Sequence, residues 1–323
     1  MHIQNSFQVL EKEIYGVRFL TSHEYIMNKL KISKVKVITL LIIAGCQSND
    51  LPIDERWMYI SGKRELSVSG IATTTNEDTY LVVHDNKKKD QLRAGLVNLS
   101  ADSLYSELGW PVKNRPIDLE ALTNISGMKD QYIAMGSWGF CYWLALDLST
   151  NRLNLIKEFR IPGSGPPLNL ESLVLWLAGD SWYIAWAHRG SVKEPSILFW
   201  GSIDLFSEVI TIQKEDSIFV TVPWPILDKR HMSDMDLDRN GILWAAATSD
   251  PGDDGPYKSG IYKIGKFQKQ NDKMEFLIAD SFPKQFVFQR NKVEALTIAG
   301  NKMVFATDDE NLGAAINISI NGK

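Results

Sequence analysis

The stretch KVEALTIAG, from Lys292 to Gly300, alternates like a strand, yet Glu294 sits in its apolar opening between Val293 and Ala295. Four other stretches share this outline: VSGI (Val68–Ile71), LEAL (Leu119–Leu122), LESL (Leu170–Leu173) and MSDM (Met232–Met235). Each reads apolar, then Ser or Glu, then a mostly small residue, then apolar. The second positions, Ser69, Glu120, Glu171, Ser233 and Glu294, lie 51, 51, 62 and 61 residues apart. Each opening is followed by a second apolar run with a polar end: YLVVHDN, YIAMGSW, YIAWAHR, LWAAATSD and MVFATDDE. A third run comes next, and in the first four repeats a fourth, such as LNLIKEFRI at 153–161. Turn residues such as DRNG at 238–241 separate the runs.

Repetition at this period is the sequence signature of radial blades. The last repeat ends after three strands, and an unused strand, RWMYISG (Arg56–Gly62), remains at the other end. Pairing the two closes a ring. The expectation is an all-β protein, a β-propeller of five blades closed by its N-terminal strand, with the long third repeat leaving room for a sixth. A β-sandwich with chance similarity is the alternative. The aromatic content, with 10 Trp, 10 Tyr and 13 Phe, suits strands. A net charge of −4 over 323 residues gives no basic footprint for nucleic acid, and a monomer is expected.

The N-terminal segment reads differently. MNKLKISKVK (Met27–Lys36) is basic, and VITLLIIAGC (Val37–Cys46) is apolar with small residues before the Cys. That is the order of a secretory signal, and the apolar run is too short to span a bilayer as a mature helix. IAGC also resembles the lipobox of bacterial lipoproteins. The resemblance implies a lipid-anchored mature chain beginning at Cys46, with Gln47 directing it to the outer membrane. Residues 1–26, mixed in charge, read as an over-long gene start. The domain expectation is therefore 27–45 signal, 46–55 tether and 56–323 propeller. With Cys46 lipidated, Cys141 has no disulfide partner within the chain.

In a propeller the first strand of each blade lines the axis, and its entry shares a face with the exit of the second strand. Ser69, Glu120, Glu171, Ser233 and Glu294 then form a ring at one mouth of the channel. His84, Asp85, Ser137, His188, Arg189, Ser249, Asp250, Asp308 and Asp309 stand around it. Three converging carboxylates repel one another and lose water, so they need a partner. A hard cation supplies one, and an oxygen-only donor set suits Ca²⁺ better than Mg²⁺, which asks for stricter geometry. Scattered histidines give no zinc spacing. Hydrogen bonds from neighbouring blades or from water are the alternative partners.

The order Ser, Glu, Glu, Ser, Glu over five blades resembles the calcium-activated nucleotidase (apyrase) family, whose YEGI-type and AEWL-type strand openings correspond to VEAL and LEAL here. It is also similar to phytase-like bacterial propellers, although Ala121, Ser172 and Ala295 replace a glycine of that pattern. The resemblance implies a five-bladed fold and an axial Ca²⁺. It also makes a Ca²⁺-dependent phosphoester hydrolase one expected function, with Asp85 or Asp308 handling water and Arg189 or Lys87–Lys89 a phosphate. A non-catalytic propeller that binds a phosphorylated small molecule, a glycan or a protein at the ring face is the other. SDPGDDGPYKSG (Ser249–Gly260) reads as a second Ca²⁺ loop or as a solvated connection, and it lacks EF-hand spacing.

Overall fold

The computed structural model describes residues 56–207, 210–271 and 273–320. The signal stretch, the tether and Cys46 lie outside them. The chain enters the described region as β1 (Met58–Ser61). Four antiparallel sheets follow in order. The first holds β2 (Gly70–Thr73), β3 (Thr79–Val83), β4 (Ala94–Asn98) and β5 (Tyr105–Leu108). The second holds β6 (Leu119–Asn124), β7 (Gln131–Gly136), β8 (Phe140–Asp147) and β9 (Arg152–Arg160). The third holds β10 (Leu170–Ala178), β11 (Ser181–His188), β12 (Ser196–Asp204) and β13 (Thr211–Val220). The fourth holds β14 (Lys229–Leu237), β15 (Ile242–Ser249), β16 (Ser259–Gln270) and β17 (Lys273–Ile278). In the fifth, β19 (Val293–Ala299), β20 (Lys302–Thr307) and β21 (Ala314–Ile320) are completed by β1, with Met58 opposite Ile316.

The ring is the five-bladed propeller read from the repeats, and the N-terminal strand closes it. The extra length of the later repeats does not make a sixth blade. It goes into the ten-residue β13 and into β18 (Lys284–Phe288). The long β16 pairs with β17 along its C-terminal half and with β18 along its N-terminal half.

Apolar alternation explains what holds the blades together. The first strands neighbour one another in the cycle β2, β6, β10, β14, β19 and back to β2. Five apolar clusters fill the five gaps, one per pair of adjacent blades. Between the third and fourth blades, for example, Val174, Trp200, Met235 and Phe267 are buried together. Burying each such side chain contributes roughly 1.5–3 kcal/mol, so packing between blades fixes the ring. Close to the axis the first strands do not pair by backbone, and side chains satisfy their free N–H groups instead. Asn124 Oδ1 accepts from Thr73 N at 3.2 Å and its Nδ2 donates to Thr73 O at 2.8 Å. Asp234 accepts from Leu296 N at 2.6 Å, and Asp236 from Ile298 N at 2.7 Å. Gly70 is required here: a Cβ on it would lie 2.7 Å from Leu122 N of the next blade.

Candidate functional site

The acids in the strand openings sit at β-bulges. The register slips between Leu119 and Ala121, between Leu170 and Ser172, and between Val293 and Ala295. Each slip leaves the intervening Glu without a cross-strand partner. A bulge re-aims a side chain out of the pleat, and here Glu120, Glu171 and Glu294 act electrostatically on one another at the axis. That is the physical answer to an acid inside an apolar run: the bulge takes it out of the alternation. The fourth blade slips further, between Arg230 and Asp234.

The two serines of the ring are engaged with the neighbouring blade. Ser69 Oγ donates to Leu119 O at 2.6 Å, and Ser233 Oγ donates to Val293 O at 2.8 Å. The carboxylates meet two basic side chains that the repeat pattern does not contain. Arg230 Nη1 lies 2.6 Å from Glu294 Oε1 and 3.3 Å from Glu171 Oε1, and Nη2 binds Asp250. Lys292 Nζ lies 2.6 Å from Glu310, 3.3 Å from Asp308 and 3.4 Å from Glu294. Partly exposed Arg189 reaches Glu171 Oε1 at 2.8 Å. Outside these, Arg64 joins Glu310 to Asp253 of the 249–260 connection. Burial pulls the Arg230 guanidinium down, but Glu171, Glu294 and Asp250 outweigh it and hold it above its ordinary value. Lys292 is raised in the same way, burial being overcome by Glu294 and Asp308.

This placement bears on the expected Ca²⁺ site. Both serine hydroxyls point their protons at backbone carbonyls, and Glu171 and Glu294 already face Arg230. Among the described residues no group of three or more His, Cys, Asp or Glu is disposed to hold a metal. Arg230 and Lys292 supply internal cationic partners to Glu171 and Glu294, while Glu171 Oε2 and Glu120 have no hydrogen-bond partner among the described residues.

One sector stays acid-rich. Glu120 makes no hydrogen bond or ion pair among the described residues, and burial together with Glu171, Asp118 and Asp85 pushes its carboxyl well up. Asp85 is pushed up to about 7, first by burial, then by Asp308, against the pull of Lys87. Glu294 is raised chiefly by burial, although Lys292 and Arg230 oppose it. Asp308 goes the other way. Burial pushes it up, but the Lys292 ammonium and a hydrogen bond with Glu294 bring it below its usual range. Of the expected catalytic residues, Asp85 and Asp308 thus share one electrostatic group, while Arg189 stands apart on Glu171. Two ring-face histidines are structural. His84 bonds Ser67 O at 2.7 Å and the Tyr105 hydroxyl at 2.9 Å, and burial lowers it to about 4. His188 Nδ1 sits against the Asn169 backbone.

Sequence reasoning missed Arg230 and Lys292. The available signal lay just ahead of the repeat: KRHMSDM and NKVEAL each carry bases immediately before the opening. The fourth blade offers no Glu at the second position, and its Arg230 reaches the axis instead.

Comparison with known proteins adds the following. No protein-family model matches the chain, and no curated protein sequence matches it. Solved structures that resemble it include a GH43 endo-arabinanase from Bacillus licheniformis, at 10% identity and a TM-score of 0.46, covering 81% of this chain and 96% of that one. The iodide structure of a family AA12 carbohydrate-active enzyme from Trichoderma reesei has 10% identity and a TM-score of 0.43, with the same two coverages. The holo pyranose dehydrogenase PQQ domain from Coprinopsis cinerea has 8% identity and a TM-score of 0.43, covering 82% and 96%. At such low similarity these likenesses say nothing of substrate or chemistry, and the residues at the ring mouth are what the chain's function has to be read from.

Proposed function

We propose that the chain is a non-catalytic binding propeller of the bacterial cell envelope, lipid-anchored through Cys46, that receives its ligand on the ring face. The observation that carries this is the Arg230–Lys292 network. It gives Glu171 and Glu294 cationic partners and engages Asp308, while Glu171 holds Arg189; a Ca²⁺-dependent hydrolase would need Asp308 and Arg189 free for water and phosphate. A buried ion cluster of this kind fixes geometry more than it adds stability. A second reading, phosphoester hydrolysis, rests on Asp85: a carboxyl pushed up to about 7 lies in the range of a general base.

The test is a phosphate-release screen of the purified protein over nucleotides, phytate and simple esters, with Ca²⁺ or with EDTA, beside a melting curve in each condition. The expected outcome is no Ca²⁺-dependent release and the same Tm in both. Ca²⁺-dependent turnover, or a Tm that climbs with Ca²⁺ by mass action, would restore the metal and the hydrolase. Mass spectrometry of the native protein should find Cys46 acylated at the mature N-terminus; an unmodified chain retaining 27–45 would remove the anchor.

A further inference from the structure

A cavity of about 270 Å³ opens at the exit of the second strand of the second blade, beside Asp118 and Ser137. The β5–β6 link gives it Arg115, Ile117 and Asp118, the β7–β8 turn gives it Trp138, and the start of β8 gives it Phe140 and Tyr142. Trp138 is 57% exposed and Phe140 46% exposed, and Ile117 beside them is exposed as well. Single exposed apolar side chains are ordinary; several around one concavity are not.

Both walls are held in place. Arg160 covers one face of Phe140 at 4.6 Å and is itself tied to Ser164 by Nε at 3.3 Å and Nη2 at 3.2 Å. Trp110 packs edge-on against Tyr142, with ring centroids 5.5 Å apart. The tight turn between Trp138 and Phe140 depends on Gly139, at φ +77°, where a Cβ would lie 2.5 Å from the Ser164 side chain. On the polar wall Asp118 is fixed at several points. Its backbone holds φ 64°, its carbonyl accepts from Ser137 N at 3.0 Å, Oδ2 accepts from Ser137 Oγ at 2.7 Å, and Oδ1 meets Lys87 Nζ at 2.9 Å. Carboxylate oxygens accept more than one hydrogen bond; with Oδ1 buried, Oδ2 is the oxygen of Asp118 that keeps acceptor capacity toward the cavity.

An apolar wall of rigid rings facing a fixed carboxylate and a guanidinium suits a ligand with one flat C–H face and hydroxyls at its edge. An anion would meet the Asp118 carboxylate and be repelled. A purely aromatic ligand would leave unused the acceptor capacity that Asp118 turns to the cavity. The geometry points to a neutral sugar ring, stacked on Trp138 with its hydroxyls donating to Asp118 and accepting from Arg115. This names the ligand class for the ring-face binding proposed above and rests on that reading.

The test titrates the full chain with neutral hexasaccharides of glucose, xylose, mannose and arabinose, read by calorimetry. At least one should bind saturably and without Ca²⁺. Trp138→Ala should weaken it by about tenfold or more, whereas Trp138→Phe should keep most of the affinity. Asp118→Asn should weaken it without unfolding the blade, and Asn240→Ala, in the exposed 238–241 turn, should leave it unchanged. No binding by any of these sugars, or binding indifferent to Trp138→Ala, would overturn the sugar site. A phosphorylated ligand lost with Arg189→Ala would also overturn it, yet leave ring-face binding standing. Turnover of that ligand would remove both readings.

Discussion

Arg230 is the residue on which the axis turns. It bridges Glu171, Glu294 and Asp250, and none of the three has an equivalent cation in reach of all the others. Removing one partner of a buried ion cluster leaves its charge unbalanced, at a cost of about 3–5 kcal/mol. Arg230→Met should therefore lower Tm by roughly 10 °C or more. Arg230→Lys, with charge but no planar fork, should fall between. A melting curve at neutral pH decides; an unchanged Tm would mean that the network is ornamental. Asp85 gives a second prediction, with a sign fixed by linkage. Its native carboxyl holds a proton up to about pH 7, whereas in the unfolded chain it titrates at its ordinary value of 3.8. Stability from this group is thus present at low pH and is lost as pH rises through that window. Asp85→Asn should gain Tm over the parent at pH 8, on the order of 2–4 °C for 1 kcal/mol, and gain nothing at pH 4. At this scale the sequence was half legible. Glu120, Glu171 and Glu294 stood out because a bulge repeats, so the anomaly repeats with it. Arg230 and Lys292 did not, because bases beside a turn are ordinarily solvated, and nothing local says that a strand entry is aimed inward.

At the scale of the element, the repeated opening carried more. The period placed the first strands correctly, since each must present apolar side chains to two neighbouring blades and a polar group to the axis. RWMYISG was recognisable as the missing strand because an incomplete final repeat leaves an edge that must be covered. The division of the outer strands was not legible. The C-terminal half of β16 serves β17 and its N-terminal half β18, and a strand that changes partners midway has the same alternation as one that does not. The inter-blade clasps were hidden for a similar reason: Asn124, Asp234 and Asp236 look like polar strand residues until the adjacent N–H groups are seen. Closure by β1 is directly testable. A chain shortened to begin at Gly62 loses the pairing with Ala314–Ile316 and uncovers the outer edge of the fifth blade. Its Tm should fall by at least several degrees and its solution should aggregate on standing. A monomeric chain with parental Tm would show that the fifth sheet is stable with three strands.

For the whole molecule, five clusters in five gaps mean that stability is distributed around a circle with no privileged hub, whereas the charges are concentrated at its centre. The axis therefore sets how the blades are oriented, and the gaps set how firmly they stay. One seam in this circle differs from the rest. Sheets one to four are each made from a continuous run of chain, but the fifth joins Met58 to Ile316. Bringing together residues so far apart costs roughly 2 kcal/mol more chain entropy than closing a loop of about 20 residues. Contacts of such long range form late and slow the search for the native state. The β1–β21 seam should accordingly be the final step of folding and the first place to part. Backbone amides of β1 and β21 would exchange with solvent faster than those of β7 or β11, so that the molecule opens like a clasped bracelet, at the fastening, while the links remain whole.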